Sequence, residues 1–405
     1  MRIGIDARPL TMETFAGISN YEYQLVSSWM EHHPEHEYFL LSRRDTCFQG
    51  KQLPENWHLV NTPWMIDKQK LWFLFELPKL IGELKLDVFW GPNYSLPQKV
   101  SGVRYCLSVH DLAIFKFKHV GQWKNAVKIK LFLRRDIRNA EKVFAISEST
   151  KRDLISMFGV SSEKIRVTYL SGGDERKRSE NHGQNGIQAR PEGNQTAYTP
   201  DKQLEHTSDI RPEIRQLDSL FLFVGTIEPR KNILTIIKGY EQYCNETAAA
   251  SKEPLPLVLA GARGWNCEAI YQAVASSPYR AKILMPGYIT DDEKEMLFQK
   301  AKAFLYPSLY EGFGIPVLEA FSRGVPVVTA NNSSLPEVGG DAAFYMDTMD
   351  AGKLAAYLKE LSELQELRLK ELQESMKQQV AKFSWERCAE ETLKEITTVV
   401  DSHGR

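Results

Sequence analysis

The stretch that decides the fold is residues 306–321, which read YPSLYEGFGIPVLEAF. The apolar run that ends near Tyr306 predicts a buried strand, and a loop that contains two glycines follows it. Pro316 suits the first position of a helix, and Gly324 suits the residue just past the end of that helix. The stretch therefore predicts a strand, a loop and a helix in succession, which is the repeating unit of parallel α/β sheets.

The same alternation of short apolar runs with longer helical stretches continues along most of the chain. Because the apolar runs have no polar face, they are typical of parallel strands that helices cover on both sides. We predict strands at residues 2–6, 38–41, 88–90, 104–109, 142–146, 220–224, 257–260, 303–306 and 326–329. We predict helices at 20–31, 232–244 and 291–300, a helical tail at 351–379 and a last helix from Ser384 to about residue 400. The pattern indicates doubly wound α/β domains.

Length and composition limit the class of protein. The chain has 405 residues, enough for two or three domains, and 42% of them are hydrophobic, which excludes wholesale disorder. The 51 Lys and Arg residues balance 52 Asp and Glu residues, whereas a dedicated nucleic-acid binder normally has a basic excess. The five cysteines are scattered without a CxxC pair, which argues against a zinc ribbon or a thioredoxin-type site and favours inert thiols in a reducing cytosol.

Neither a signal peptide nor a membrane span is apparent in the sequence. The first residues read as a strand, and no apolar run approaches 18 residues. We expect a cytoplasmic protein, with the inner face of the membrane as a place where it could bind peripherally.

One polar segment interrupts the alternation. Residues 172–218 are rich in Gly, Asn, Gln, Ser, Arg and Glu, and Tyr198 is their only aromatic residue. Such a stretch buries too little apolar area to offset the entropy of ordering it. We predict a flexible insertion or linker, either a surface loop or a segment that orders over a ligand or partner, with a domain boundary near residue 218.

The loop in residues 306–321 also carries two carboxylates. The backbone amides from Gly312 to Ile315 would point out of a helix N-terminus and suit an anion or a hydroxyl group. Glu311 precedes this site, and Glu319 is expected in the first turn of the helix, where two acids suit the paired hydroxyls of a sugar and a ribose. A hydrolase acid/base pair is disfavoured, because those acids flank one bond from opposite sides. The alternative is two solvated glutamates on an ordinary turn.

A second cluster follows the strand at 220–224, where residues 223–232 read FVGTIEPRKN. Arg230 can form a fork with phosphate oxygens, and Lys231 supplies a compact positive charge. A solvated basic turn is the alternative. The nearby carboxylate loop favours a phosphate site at the carboxyl ends of the strands.

Together the two motifs resemble the retaining glycosyltransferases of family 4, also called group 1 glycosyltransferases, and most closely the bacterial mannosyltransferases that use GDP-mannose. The resemblance covers nearly the whole chain except residues 172–218. It implies the GT-B fold, in which two Rossmann-like domains of doubly wound parallel sheets face a cleft. Residues 1–171 would bind the acceptor, residues 219–383 would bind the nucleotide-sugar donor, and residues 384–405 would form a helix that packs across the domains.

The resemblance assigns roles to residues of the second half. Arg230 and Lys231 would bind the donor diphosphate, Glu319 would contact the ribose, and Glu311 would hold the donor sugar. Thr226 stands where many members carry an arginine, so Arg230 would supply the guanidinium instead. The implied donor-binding set in this half is Thr226, Arg230, Lys231, Glu311, Gly312, Phe313, Gly314, Ile315 and Glu319.

Three motifs of the first half also match the family. Residues 16–21 look like its glycine loop, in which Gly17 would let the backbone approach the donor phosphate or the acceptor. His110 belongs to an HD motif and would lie by the reacting carbon, although a lone histidine after a strand is more often structural. Ser147 is the expected N-cap of the next helix. The implied catalytic residues are His110, Glu311, Arg230 and Lys231.

A basic stretch runs from Lys116 to Lys142. It holds nine Lys and Arg residues against two acidic ones, with Phe117, Trp123, Leu131 and Phe132 among them and Phe115 just before it. Such a stretch can lie on an anionic membrane surface, and a solvated helix face is the equally weighted alternative.

The family resemblance implies transfer of a sugar, with retention, to a hydroxyl of a saccharide or lipid-linked saccharide in bacterial surface-polysaccharide synthesis. The leaving phosphate oxygen would deprotonate the acceptor from the front face. No metal and no cofactor are expected beyond the co-substrate, GDP-mannose by resemblance, with UDP-glucose, UDP-N-acetylglucosamine or dTDP-rhamnose as alternatives. A nicotinamide dehydrogenase would show G-x-G-x-x-G after the first strand, which residues 5–9 lack. A non-catalytic nucleotide-sugar-binding protein is the remaining alternative.

Overall fold

The computed structural model describes residues 1–11, 17–62, 71–117, 123–172 and 210–402. The chain divides into two compact units. The first comprises Met1–Leu170 together with Ser384–Arg405, and the second comprises Ser171–Phe383.

The first unit contains a sheet of seven parallel strands in the order β3-β2-β1-β4-β5-β6-β7. The strands are β1 (Arg2–Asp6), β2 (Glu37–Ser42), β3 (Trp57–Asn61), β4 (Val88–Gly91), β5 (Arg104–Val109), β6 (Lys142–Ala145) and β7 (Ile165–Val167). The helices between them are α1 (Ile18–His32), a π-helical turn (Trp72–Glu76) that continues into α2 (Leu77–Glu83), α3 (Ala113–Lys116), α4 (Trp123–Asn139) and α5 (Glu148–Phe158).

The second unit contains six parallel strands in the order β10-β9-β8-β11-β12-β13. These are β8 (Leu220–Val224), β9 (Leu257–Ala260), β10 (Ile283–Gly287), β11 (Ala301–Tyr306), β12 (Val327–Ala330) and β13 (Phe344–Met346). Its helices are α6 (Pro212–Arg215), α7 (Ile233–Ala249), α8 (Glu268–Ser276), α9 (Asp291–Lys300), α10 (Ile315–Phe321), α11 (Leu335–Gly339), α12 (Ala351–Ser362) and α13 (Glu366–Val380). The last helix of the chain, α14 (Trp385–Asp401), belongs to the first unit.

Each sheet has one point where the strand order reverses. In the first unit the chain builds outward on both sides of the β1–β4 pair, and in the second it does so on both sides of the β8–β11 pair. The loops that leave neighbouring strands at such a point run in opposite directions and open a crevice beyond the carboxyl ends of the strands, where ligands bind in open α/β sheets. The fold therefore offers one candidate binding position in each unit.

All nine predicted strands are present, and the doubly wound parallel architecture is confirmed. The strands that the sequence did not predict are β3, β7, β10 and β13, which are the four edge strands of the two sheets. Their residues are largely half-buried or exposed, whereas the interior strands are almost wholly buried. An edge strand packs on fewer neighbours, so its sequence is not a continuous apolar run.

The predicted linker is wrong at its C-terminal end. Residues 173–209 lie outside the described residues, but residues 210–218 belong to the second unit and include α6. Ile210 and Ile214 are buried, and the Arg211 guanidinium forms a fork with the carboxylate of Glu293, with 2.6 Å between Nε and Oε1. Two isoleucines and one ion pair anchor this end of an otherwise polar stretch.

The predicted last helix is present, and the compact unit that it joins is the first one. The Trp29 indole Nε1 donates to the carbonyl of Ala389 over 2.9 Å, and the Trp385 ring centroid lies 6.5 Å from that of Tyr21. Ser384 is its N-cap, as predicted, and accepts a hydrogen bond from the Arg387 amide. The chain therefore returns to its N-terminal unit after completing the second one.

Candidate active site

The reversal point of the second sheet brings the two sequence motifs into direct contact. Arg230 and Lys231 lie in the 3₁₀ turn that follows β8, and Glu311 lies in the loop that follows β11. Oε2 of Glu311 accepts a hydrogen bond from Arg230 Nη1 over 2.9 Å, and Oε1 accepts one from Lys231 Nζ over 2.7 Å. Glu311 and Lys231 are each only 7% exposed. The carboxylate is thus a buried bridge between the two cations.

Backbone contacts fix the two loops against each other. Asn232 adopts a left-handed conformation (φ +58°), which asparagine tolerates better than most residues. Its side-chain amide donates to the carbonyls of Pro307 (3.0 Å) and Thr348 (2.6 Å). The amide of Leu309 donates to the carbonyl of Arg230 over 2.9 Å. These bonds hold the cation turn beside the carboxylate loop.

Two serines that follow β12 shape the carboxylate loop from the other side. Ser333 Oγ accepts a hydrogen bond from the Glu311 amide over 3.0 Å. Ser334 Oγ lies 3.0 Å from the carbonyl of Glu311 and 2.6 Å from that of Phe313, as donor to both. Because Ser334 is fully buried, these contacts give the loop a defined backbone path.

A second carboxylate, which the sequence reasoning missed, balances the charge of the cluster. Glu228 Oε1 lies 2.9 Å from Arg230 Nε and 2.7 Å from Nη2. Two cations therefore face two carboxylates. Burial by itself would raise the pKa of Glu311, but the charges of Lys231 and Arg230 outweigh burial and lower it to about 2. Glu311 is therefore ionised at neutral pH.

Tyr306, the last residue of β11, is a further contact that the sequence did not indicate. Its hydroxyl lies 2.5 Å from Lys231 Nζ, and Nζ lies 4.7 Å from the ring centroid. Lys231 is thus held from two sides, by Tyr306 and Glu311. The signal was present, since Tyr306 ends the strand that leads to Glu311, but its partner lies 75 positions away in sequence.

The prediction that Glu319 lies in the first turn of its helix is wrong. Helix α10 begins at Ile315, which makes Glu319 its fifth residue. Oε2 of Glu319 accepts a hydrogen bond from Lys294 Nζ over 2.7 Å, and both side chains are 23% exposed. Lys294 is another residue that the sequence reasoning missed, because this ion pair depends on how α9 and α10 pack. Thr226 is exposed just after β8, and Gly314 is the N-cap of α10 with φ +119°.

Two predicted site residues, Gly17 and His110, lie in the first unit. Gly17 is the N-cap of α1 and has φ +55°, a conformation that favours glycine. The His110 Nε2 lies 2.7 Å from the carbonyl of Pro92, so Nε2 carries the ring proton. Burial lowers the pKa of His110 to about 4 against the opposing effect of that hydrogen bond. The imidazole is therefore neutral at pH 7.

The predicted N-cap after β6 is confirmed. Ser147 Oγ accepts a hydrogen bond from the Thr150 amide over 3.0 Å and so begins α5. The hydroxyl of Thr150 in turn donates to the carbonyl of His110 over 3.1 Å. The motif thus supports the backbone of His110 as well as the helix.

Comparison with known proteins identifies the family. Residues 207–383 match the family model for glycosyl transferases group 1, and residues 16–170 match the one for glycosyltransferase family 4. The O-antigen chain mannosyltransferase B of Escherichia coli is 30% identical over 307 residues, which cover 76% of this chain and 73% of that protein. The chain belongs to the family 4, group 1 glycosyltransferases.

One further relative and one solved structure are similar to this glycosyltransferase. It is 29% identical over 272 residues to the serotype-specific mannosyltransferase WbdA of Escherichia coli, a match that covers 66% of this chain but only 30% of that longer protein. The crystal structure of WaaG, a glycosyltransferase involved in lipopolysaccharide biosynthesis, superposes with a TM-score of 0.67 at 14% identity and covers 98% of this chain and 100% of that one. The fold is GT-B.

Within the residue ranges that the structure describes, no helix is long and apolar enough to cross a membrane. Over the same ranges no group of three or more His, Cys, Asp and Glu side chains is placed to hold a metal ion. Independence of metals stays a prediction.

We expect Glu311→Gln to destabilise the second unit in a pH-dependent way. The pKa of Glu311 is about 2 in the folded chain and about 4.3 in an unfolded one, so its charge stabilises the fold above pH 4 and this contribution is lost as the pH falls towards 2. Breaking a buried pair costs about 3 kcal/mol at pH 7. Urea unfolding from pH 7 to pH 3 should show the difference from the wild type shrinking.

The matched control is Glu360→Gln on α12, whose side chain is exposed and makes no ion pair among the described residues. It should change the free energy of unfolding by less than about 0.5 kcal/mol at any pH. A Glu311→Gln effect that is independent of pH would contradict the ionised bridge.

Proposed function

We propose that this glycosyltransferase moves mannose from GDP-mannose, with retention, to a hydroxyl of a saccharide or lipid-linked saccharide in the synthesis of a bacterial cell-surface polysaccharide. The observation that carries the proposal is the buried cluster of Arg230, Lys231 and Glu311 at the reversal point of the second sheet. The choice of mannose is supported by the similar proteins described above, which are O-antigen and serotype-specific mannosyltransferases.

The cluster suits a diphosphate leaving group. Two cations, Arg230 and Lys231, are already immobilised by the residues around them. Little reorganisation is therefore needed when negative charge develops on the phosphate oxygen that leaves the sugar. A departing GDP would share the cations with the two carboxylates. Such preorganised cations would stabilise the leaving group.

Glu311 would act through hydrogen bonds and not as an acid. Its carboxylate is ionised at neutral pH, so it accepts hydrogen bonds from hydroxyls of the donor sugar. Both of its oxygens are engaged by cations, which reduces its reactivity as a nucleophile. These two features favour a front-face transfer in which the leaving phosphate oxygen takes the acceptor proton.

His110 would contribute as a neutral ring. Because its Nε2 proton is directed at the carbonyl of Pro92, Nδ1 is the nitrogen left as an acceptor. A neutral imidazole would orient a hydroxyl of a ligand without adding charge. The contact of its ring with Tyr21, at 4.8 Å between centroids, fixes the plane of the imidazole.

A panel of nucleotide sugars tests the donor. We expect GDP-mannose at 100 times its dissociation constant to stabilise the fold by about 2.7 kcal/mol and to raise the melting temperature. UDP-glucose, UDP-N-acetylglucosamine and dTDP-rhamnose should give smaller shifts. A larger shift with one of these three would indicate that sugar nucleotide as the donor. The absence of a shift with all four nucleotide sugars would contradict a donor site. A shift without product in the presence of acceptors would favour a binding protein.

The two carboxylates of the motif should separate binding from turnover. We expect Glu319→Ala to weaken GDP binding about ten-fold through the loss of ribose hydrogen bonds, and Glu311→Gln to lower kcat with less effect on GDP affinity. Calorimetry with GDP and steady-state kinetics measure the two effects.

Glu295→Ala is the control for Glu319→Ala. Glu295 pairs with Arg323 over 2.9 Å and is 29% exposed, so it resembles Glu319 in burial and in having one cationic partner. It should leave GDP affinity unchanged. Equal losses of GDP affinity in Glu311→Gln and Glu319→Ala would rule out the division of roles.

We also propose that helix α4 contacts an anionic membrane surface. Leu131 and Phe132 are adjacent on this helix and are 63% and 56% exposed, and Lys130 and Arg134 beside them are exposed as well. Two neighbouring exposed apolar side chains flanked by cations are typical of helices that lie in the lipid interface. The part of the basic stretch at residues 118–122 lies outside the described residues.

Vesicle sedimentation tests this contact. Wild-type protein should bind vesicles that contain phosphatidylglycerol more than pure phosphatidylcholine vesicles, and higher salt should release it. The double substitution Leu131→Ser and Phe132→Ser should reduce the bound fraction several-fold. The control is Leu367→Ser, whose leucine is 73% exposed in the second unit. Equal binding by the double variant and the control would contradict the proposal.

A further inference from the structure

The reversal point of the first sheet, between β1 and β4, holds a guanidinium that the assigned roles do not use. Arg8 lies two residues beyond β1, and its Nε and Nη2 form a fork with the carboxylate of Asp6 at 2.8 and 2.5 Å. Nη2 also lies 3.1 Å from the hydroxyl of Ser95, which is in the segment after β4. The guanidinium carbon lies 3.8 Å from the ring centroid of Phe73. Arg8 is thus locked against both strands.

One edge of this guanidinium remains available. Nη1 donates to no group among the described residues, and 19% of the Arg8 side chain is exposed, while Asp6 is fully buried. Nη1 is also not among the buried unpaired polar atoms of the described chain. An immobilised donor with one accessible edge at a sheet reversal point has the geometry of a ligand contact.

A second observation points to the same place. Glu22, on the first turns of α1, is fully buried, and neither carboxyl oxygen has a hydrogen-bond partner among the described residues. Burial and the charge of Asp6 raise the pKa of Glu22, against the opposing effect of Arg8. Unsatisfied buried carboxyls are rare in folded proteins and concentrate at functional sites.

The one available donor of this site limits the kind of ligand. Asp6 pairs with the charge of Arg8, and Nη1 is the guanidinium edge left to donate. The second sheet has two cations side by side, Arg230 and Lys231, which suits the several oxygens of a diphosphate, and its two carboxylates balance their charge. A neutral, hydroxyl-bearing ligand fits the first site better, since Nη1 can donate to a hydroxyl oxygen without a change in charge.

We propose that Arg8, held by Asp6, Ser95 and Phe73, is a binding residue for hydroxyl groups of the acceptor saccharide. This inference rests on the proposed function for the identity of the acceptor as a saccharide. It does not depend on which nucleotide sugar is the donor. Arg8 lies in the same connection between β1 and α1 as Gly17 but is a different residue from Gly17 and His110, the two first-unit residues that the family resemblance implies.

The experiment measures binding of α-1,3-mannobiose to the full chain without donor, by calorimetry or ligand-observed NMR. Arg8→Lys keeps the positive charge and loses the planar fork, so we expect the dissociation constant for mannobiose to rise about ten-fold. GDP affinity should stay within two-fold. The matched control is Arg2→Lys at the other end of β1, because Arg2 also pairs with a carboxylate, that of Glu37, and lies 4.7 Å from an aromatic ring centroid. Arg2→Lys should change neither the mannobiose affinity nor the GDP affinity.

The outcomes separate this inference from the proposed function. Mannobiose binding that depends on Arg8 in a protein that transfers no mannose would support the site and reject the function. Overturning results are wild-type protein that binds no mannobiose, equal mannobiose affinities in Arg8→Lys and Arg2→Lys, or inorganic pyrophosphate that competes with mannobiose for Arg8. If Arg8→Lys does not fold, Ser95→Ala decides, since it removes one hydroxyl contact of the guanidinium and should weaken mannobiose binding about three-fold.

Discussion

The structure of the second unit depends on the carboxylate of Glu311 and its two cations. Strands β8 and β11 are neighbours in the sheet although their loops are some 80 residues apart in sequence. The parallel sheet brings the carboxyl ends of both strands to one edge, and the ion pairs then join the loops that leave them. The bond from the Leu309 amide to the Arg230 carbonyl and the side chain of Asn232 reinforce the junction. One set of contacts thus joins the two loops and immobilises the two cations.

The two sheets have similar arrangements of charged residues at their reversal points. In each, an arginine follows the first strand of the reversal point and is held by a carboxylate. The second unit adds Lys231, and its Glu311 is ionised. The first unit adds the hydroxyl of Ser95 and the buried carboxyl of Glu22, and one edge of its arginine stays accessible. On these differences we base the proposals of a diphosphate-bearing donor for the second site and a hydroxyl-bearing acceptor for the first.

The interior of both sheets was predictable because parallel strands covered on both sides require continuous apolar runs. The edge strands β3, β7, β10 and β13 were not predictable, because partial exposure lets polar residues replace apolar ones along them. The C-terminal end of the predicted linker failed for a related reason. Ile210 and Ile214 are buried against the second unit, but two isoleucines in a polar stretch carry too little local signal to show it.

The fold class, the family resemblance and the choice of Arg230, Lys231 and Glu311 as site residues could all be predicted from the sequence, because each depends on local patterns of a few residues. The partners of those residues are visible only in the tertiary structure. Glu228 contacts Arg230, and Tyr306 contacts Lys231. Lys294 forms an ion pair with Glu319. Burial lowers the pKa of His110 and so keeps its imidazole neutral. Ion pairs and burial arise where elements distant in sequence pack together. A local pattern reaches only a few residues along the chain, so it cannot specify them.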